Sequence, residues 1–261
     1  MKRVPAAAVA ALSLLALAGC ADTGDGSSSS GGKGGGSGKT LTVFAAASLT
    51  ETFTKLGKDF EGAHPGVRVR FDFGGSSTLA QQIAQGAPAD VFAAASGTTM
   101  KTVADAGDAS GRPTVFARNR LVIAVPQGDP GKVRGLADLA SSKLKVVLCA
   151  EQVPCGAAAK KALGAAHLTV TPVSQEQDVK AVLTKVRLGE ADAGLVYRTD
   201  AKSAAGQVQG IEFPESAKAV NDYPIAALSK APQPALAKEF VQYVLSQPGK
   251  AALGAAGFES P

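Results

Sequence analysis

The chain has 261 residues, 45% of them hydrophobic, and carries a formal net charge of +5 with three cysteines, two histidines and no tryptophan. That supplies the apolar material for one large or two small domains. The positive balance is mild, with no dense Lys/Arg run and no interleaved aromatics, which argues against a nucleic-acid partner.

At the N-terminus, Lys2 and Arg3 precede an apolar stretch from Val4 to Ala18 that is short for a membrane-spanning helix. It closes on Leu17-Ala18-Gly19-Cys20, which resembles the lipobox of bacterial lipoproteins, where the signal is cut before the Cys and that Cys is acylated. An ordinary secretory signal with an incidental Cys is the plainer alternative. Residues 1–19 are therefore expected to be a signal peptide and Cys20 a lipid anchor. Residues 20–38, almost wholly Gly, Ser, Asp and Lys after the first few, read as a flexible tether. Without Lys2 and Arg3 the net charge of +5 falls by two to +3. The expected location is the extracytoplasmic face of the cell membrane.

From Lys39 onward strand and helix patterns alternate. Leu41 to Ala45 is a short apolar strand, and Leu49, Phe53, Leu56 and Phe60 then recur at helical spacing. Val67, Val69, Phe71 and Phe73 alternate with Arg68, Arg70 and Asp72, the period of a strand. A helix is predicted from Thr78 to Gln85, a turn at Gly86 to Asp90, a strand at Val91 to Ala94 and a helix at Thr98 to Ala106. Strands follow at Leu121 to Val125 and Lys145 to Cys149, then a helix from Gly156 to Ala166 and a strand near Leu168 to Thr171. Val179, Val182, Leu183 and Val186 mark a helix, Ala193 to Tyr197 a strand and Ile225 to Leu228 another. Helices on Leu236, Phe240 and Val244 and on Lys250 to Leu253 end the chain. Such alternation predicts an α/β fold with mostly parallel sheets flanked by helices.

Parallel sheets bind ligands beyond the carboxyl ends of their strands, where helix N-termini bring unpaired N–H groups and partial positive charge. Four places have that local chemistry: Ser48 after Val43-Phe44-Ala45-Ala46-Ala47, Ser76 after Gly74-Gly75, Cys155-Gly156, and Asp178-Val179. Tyr197 ends an apolar strand and brings a hydroxyl. Taken singly, each has a bland reading: a Ser or Asp before a helix is commonly an N-cap, and a Tyr at a strand end commonly packs. Cys149 and Cys155, six apart in an exported chain, read as a disulfide closing a small loop. A structural metal is the alternative, but no His or second Cys pair stands nearby to complete it.

Taken together, Val43-Phe44-Ala45-Ala46-Ala47-Ser48-Leu49-Thr50, Ser76-Ser77-Thr78-Leu79-Ala80, Gly86-Ala87-Pro88-Ala89-Asp90-Val91-Phe92, Val153-Pro154-Cys155-Gly156, Asp178-Val179 and Gly194-Leu195-Val196-Tyr197 resemble the molybdate-binding proteins of bacterial ABC importers in order and spacing. The resemblance implies a two-lobed periplasmic-binding-protein fold of type II with the ligand between the lobes. One lobe would hold residues 39–119 with 221–261, the other 120–220. It implies a tetrahedral oxyanion held by hydroxyls and amides: Ser48 and Ser76 giving hydroxyl and amide, Cys155 and Val179 their amides, Tyr197 its phenol. No cation ligand, cofactor or catalytic residue is implied; the ligand is molybdate or tungstate, the partner a membrane permease with its ATPase, and the protein is expected to be a monomer. A small apolar residue commonly stands at the position of Cys155 in the family, so the expected disulfide falls on the binding loop.

Three other readings compete, one of them an adhesive or structural lipoprotein with a vestigial cleft that would bind no oxyanion. The same fold could take sulfate or phosphate, since only cavity size separates sulfate from molybdate. A hydrolase would use Cys155 as nucleophile with His64 or His167 as base. Against the hydrolase, both histidines lie in turn-like polar contexts and Cys155 has a partner in Cys149.

Overall fold

The computed structural model describes residues 38–261, so the expected signal peptide, Cys20 and nearly all of the tether lie outside the described residues. In chain order the first half holds β1 (Lys39–Ala46), α1 (Thr50–Ala63), β2 (Val67–Gly74), α2 (Ser76–Ala84), β3 (Val91–Ala93), α3 (Gly97–Asp105), β4 (Thr114–Asn119) and β5 (Leu121–Pro126). The second half holds β6 (Val146–Cys149), α4 (Pro154–Ala165), β7 (Ser174–Glu176), α5 (Val179–Arg187), β8 (Ala193–Tyr197), α6 (Arg198–Ser203), β9 (Val208–Ile211), β10 (Asn221–Ala227), α7 (Pro234–Leu245) and α8 (Gln247–Ala256).

The strands form two five-stranded sheets, ordered β2-β1-β3-β10-β4 and β7-β6-β8-β5-β9. In the first, β1 runs parallel to β2 and β3, while β10 is antiparallel to both its neighbours. In the second, β6 runs parallel to β7 and β8, while β5 is antiparallel to both its neighbours. Four strands of each sheet thus share a direction, and the reversed one is the strand that follows a passage between sheets. Those passages are Arg120, between β4 and β5, and the segment from β9 to β10. Arg120 closes its passage with a bidentate pair to Glu259 at 2.6 and 2.8 Å.

The alternating residues of β2 turn Val67, Val69, Phe71 and Phe73 toward α1. There Phe53 meets Phe71, Phe116 and Phe240 at centroid distances of 5.7–6.2 Å. Gly57 allows this close approach, because a Cβ there would stand 2.5 Å from the Phe71 ring. The buried Asp90 ties the turn before β3 to two elements, accepting from Thr42 N (2.7 Å) and Gln233 N (2.6 Å).

Several elements depart from the sequence expectation. The strand predicted at Leu168 to Thr171 is irregular chain; the edge strand is β7, beyond Pro172. Pro172 has no N–H for a ladder, so pairing starts at Val173, which donates to Val146 O. Helix α4 begins at Pro154 rather than Gly156, since a first-turn Pro lacks only an N–H that would be unpaired anyway. Strands β4 and β9 and helix α6 have no counterpart among the predicted elements.

Candidate binding site between the two sheets

A cavity of about 20 Å³ lies where the carboxyl ends of β1 and β2 face the starts of α4 and α5 and the end of β8. Ser48, Ser76, Cys155, Val179 and Tyr197 all line it, so the structure brings the five candidate residues to one point. A single water needs about 10–15 Å³ by the same measure, so the space suits one small compact group and no organic molecule of metabolite size. Among the described residues no Lys or Arg lines it, and Asp178 is the one lining residue with an ionisable carboxylate.

The hydroxyls at the cavity have their lone pairs engaged from behind. Ser76 Oγ accepts from Ala95 N–H at 3.0 Å, leaving its own hydrogen free. Tyr197 Oη stands 2.9 Å from Asn221 Nδ2, and the same nitrogen donates to the Ala95 carbonyl at 2.7 Å. A carbonyl cannot donate, so the Asn221 amide is fixed with its NH2 toward both partners and the Tyr197 hydroxyl must accept. Ser48 Oγ lies 2.9 Å from Tyr223 Oη; with Tyr223 as donor, the Ser48 hydrogen is also free for the cavity. Burial raises both phenols well above the ordinary tyrosine range, so they remain protonated donors.

The helix starts add amides. Neither serine acts as an N-cap: Ser48 sits inside a 3-10 turn leading into α1, and Ser76 is the first residue of α2, behind Gly75. The N-cap positions of that 3-10 turn, of α2 and of α4 have no side-chain cap, whereas α3 and α8, away from the cavity, are capped by Ser96 and Ser246. First-turn N–H groups there carry no side-chain cap, and residues that bear them, Ser48, Ser76 and Cys155, line the cavity. Helix α5 differs. Asp178 Oδ1 takes Lys180 N (2.8 Å) and Ala181 N (3.0 Å), which leaves Val179 N–H as the amide available from that end.

The two sides of the cavity touch. A Cβ on Gly75 would stand 2.2 Å from the Gln177 carbonyl oxygen, and Ser77 Oγ donates to Gln152 O at 2.7 Å. Lys180, on α5, reaches Glu51 on α1 at 2.7 and 2.9 Å and lies 3.1 Å from Asp200 Oδ1. Burial works against the Lys180 ammonium, but Asp200 and Glu51 together raise its pKa. Among the described residues no well-aligned donor reaches Asp200 Oδ1, and the Lys180 ammonium 3.1 Å away is its main favourable neighbour. Burial, outweighing that contact, raises the Asp200 carboxyl from 3.8 to about 6. The folded protein therefore holds this proton more tightly than the unfolded chain, and stability from this group is present below that window and lost as pH rises through it. Compared with Asp200→Asn, the unmodified protein is expected to lose about 2 kcal/mol of unfolding free energy from pH 4 to pH 7, read by urea unfolding at each pH. A constant difference between the two proteins would exclude Asp200 as the source.

Cys149 and Cys155 are joined by a disulfide with Cα atoms 5.7 Å apart. Cys155 thus has no free thiol. His64 stacks on Phe60 and bonds the Phe60 carbonyl at 2.8 Å, and His167 occupies the turn after α4; neither lines the cavity. The nucleophile-and-base pair of the hydrolase reading is not assembled.

Sequence reasoning missed Ala95, Asn221 and Tyr223, which hold the hydroxyls from behind. The signal present was a buried-looking Asn in Ala219-Val220-Asn221-Asp222-Tyr223, at the start of an apolar strand, but nothing in the sequence tied it to Tyr197.

Comparison with known proteins gives a consistent picture. The family model described as bacterial extracellular solute-binding protein matches residues 41–259. The molybdate-binding protein ModA of Mycobacterium tuberculosis is 48% identical over 223 residues, 85% of either chain. ModA of Escherichia coli is 34% identical over 215 residues, covering 78% of this chain and 82% of that one. Among solved structures, the periplasmic molybdate-binding protein of Azotobacter vinelandii superimposes with a TM-score of 0.73 over 85% of this chain and 99% of its own, at 22% identity, a likeness of fold.

Proposed function

The chain belongs to the bacterial extracellular solute-binding proteins and, within them, to the molybdate-binding ModA family, and we propose that it captures molybdate outside the cytoplasm and hands it to the permease of an ABC importer. The observation that carries this reading is the small cavity whose hydroxyls and helix starts offer hydrogens and no cationic side chain. In this reading Ser48, Ser76 and Tyr197 donate their hydroxyls and Cys155 and Val179 their amides to one tetrahedral dianion. The two sheets are the cores of two lobes, residues 39–119 with 221–261 and 120–220, which close on the ligand by a hinge at the two passages. Tungstate, nearly the size of molybdate, binds alike. Cys20 tethers the protein, as a monomer, to the membrane by its lipid.

A site built of donors suits a fully deprotonated anion. Hydrogen phosphate would turn an O–H toward a donor and leave a buried N–H or O–H unpaired, at about 1–3 kcal/mol. Sulfate meets no such penalty and is rejected by size alone. Calorimetric titration with molybdate, tungstate, sulfate and phosphate tests the proposal. The first two are expected to bind tightly and the last two to give no heat; sulfate or phosphate binding in place of molybdate would overturn the ligand. Ser48→Ala and Ser76→Ala are each expected to weaken molybdate binding by about 1–3 kcal/mol with the fold unchanged. Unaltered affinity in both would remove them from the site.

A further inference from the structure

Asn221 is the first residue of β10, yet its amide serves both sides of the cavity. One hydrogen goes to the Ala95 carbonyl at 2.7 Å and the other to the Tyr197 hydroxyl at 2.9 Å, across from the first sheet to the second. The Pro154 carbonyl, at 3.5 Å, is the longest and weakest of its contacts. Ala95 in turn gives its N–H to Ser76 Oγ. Asn221 is buried, and its amide cannot flip, because that would set its own carbonyl oxygen against the Ala95 oxygen.

We propose that Asn221 is a positioning residue for anion binding: by donating to Tyr197 Oη it fills a lone pair of that hydroxyl and so turns its single hydrogen toward the bound oxyanion rather than back to the Tyr223 phenol packed beside it. The inference rests on the molybdate reading above and adds to it the reason the phenol behaves as a donor only. A phenol without that partner is free to rotate and present a lone pair. It would then stop contributing to a dianion and would tolerate an anion that bears a proton. The Asn221 amide thus removes one of the two roles a hydroxyl can play, and with it a source of poor selectivity.

The experiment is a double-mutant cycle on the full protein, read by molybdate titration. Asn221→Ala and Asn221→Leu both delete the donor, the first by truncation and the second while keeping the branched shape at Cγ. Each is expected to weaken binding about tenfold in the native background and by less than about threefold when Tyr197→Phe is already present. Thermal melting without ligand identifies any variant that fails to fold, and either variant suffices for the cycle. Equal losses in the two backgrounds would overturn the proposal, because Asn221 would then act on packing or on the hinge and not through the phenol. Native affinity in Asn221→Leu would overturn it as well. Should the unmodified protein bind no molybdate, the functional reading itself falls; molybdate binding that ignores Asn221 removes this inference alone.

Discussion

Gly75→Ala is expected to leave the ligand-free protein as stable as before and to abolish tight molybdate binding. The backbone of Gly75 has φ −62° and ψ 124°, which alanine adopts without strain, so the substitution asks nothing of its own lobe. The conflict is with the other side of the cleft, where the new Cβ would stand 2.2 Å from the Gln177 carbonyl oxygen and 3.4 Å from its carbon. Both of those are backbone atoms, held just before the Asp178 cap of α5, so neither can swing away as a side chain end would. Relief requires the sides to separate by about 1 Å or more, and hydrogen bonds to an anion gripped from both sides do not survive such a displacement. Losing two bonds to a charged ligand at about 1.5–3 kcal/mol each implies a fall in affinity of at least about a hundredfold. Calorimetry gives the affinity, and melting with and without molybdate separates closure from folding: the free melting temperature stays and the ligand-induced rise disappears. Native affinity in Gly75→Ala would mean that the anion is held without the contact between Gly75 and Gln177.

Much of this arrangement was legible in the residues because it depends on local patterns. The period-two run from Val67 to Phe73 and the helical spacing of Leu49, Phe53, Leu56 and Phe60 each determine one face of one element, and both faces pack as that spacing requires. The starts of the helices after Ser48, Ser76 and Asp178 were visible for the same reason. What stayed hidden depends on distant partners. Strand β4 reads as a mixed segment, Thr114-Val115-Phe116-Ala117-Arg118-Asn119, and becomes a strand by pairing with β10, more than a hundred residues later. Strand β7 is three residues at a sheet edge, and Ser174-Gln175-Glu176 has no strand signature of its own; backbone bonds to β6 make it one. The groups behind the cavity follow the same logic. Tyr223 reaches Ser48 across 175 positions and Asn221 reaches Ala95 across 126, so no spacing along the chain could have joined them. The helix starts pointed to the cavity that the folded chain forms, while the topology supplied the hydrogen-bond partners behind its hydroxyls.

Replacing both cysteines, Cys149→Ala with Cys155→Ala, is expected to separate stability from affinity. The disulfide spans a sequence separation of six. A covalent loop that short stabilises by about 2 kcal/mol, mainly by restricting the unfolded chain, and that amount should appear as a lower urea midpoint. The proposed anion contact is the backbone N–H of residue 155, which alanine retains. Its direction is set by bonds that do not involve sulfur: Val153 N donates to Ala150 O at 3.1 Å, Ala157 N to Val153 O at 3.0 Å, and Ala150 N to Glu176 O at 2.9 Å. Gly156 completes the turn, since a Cβ there would fall 1.9 Å from the Ala150 carbonyl oxygen and would push α4 off the loop. With those backbone bonds in place, molybdate affinity is expected to change by less than about threefold, a difference under 1 kcal/mol. Titration of the native protein before and after thiol reduction provides the same comparison without substitution. An affinity loss of about tenfold or more in either experiment would show that the covalent link, rather than the backbone turn, aims the Cys155 amide, and that anion capture responds to the redox state of its surroundings.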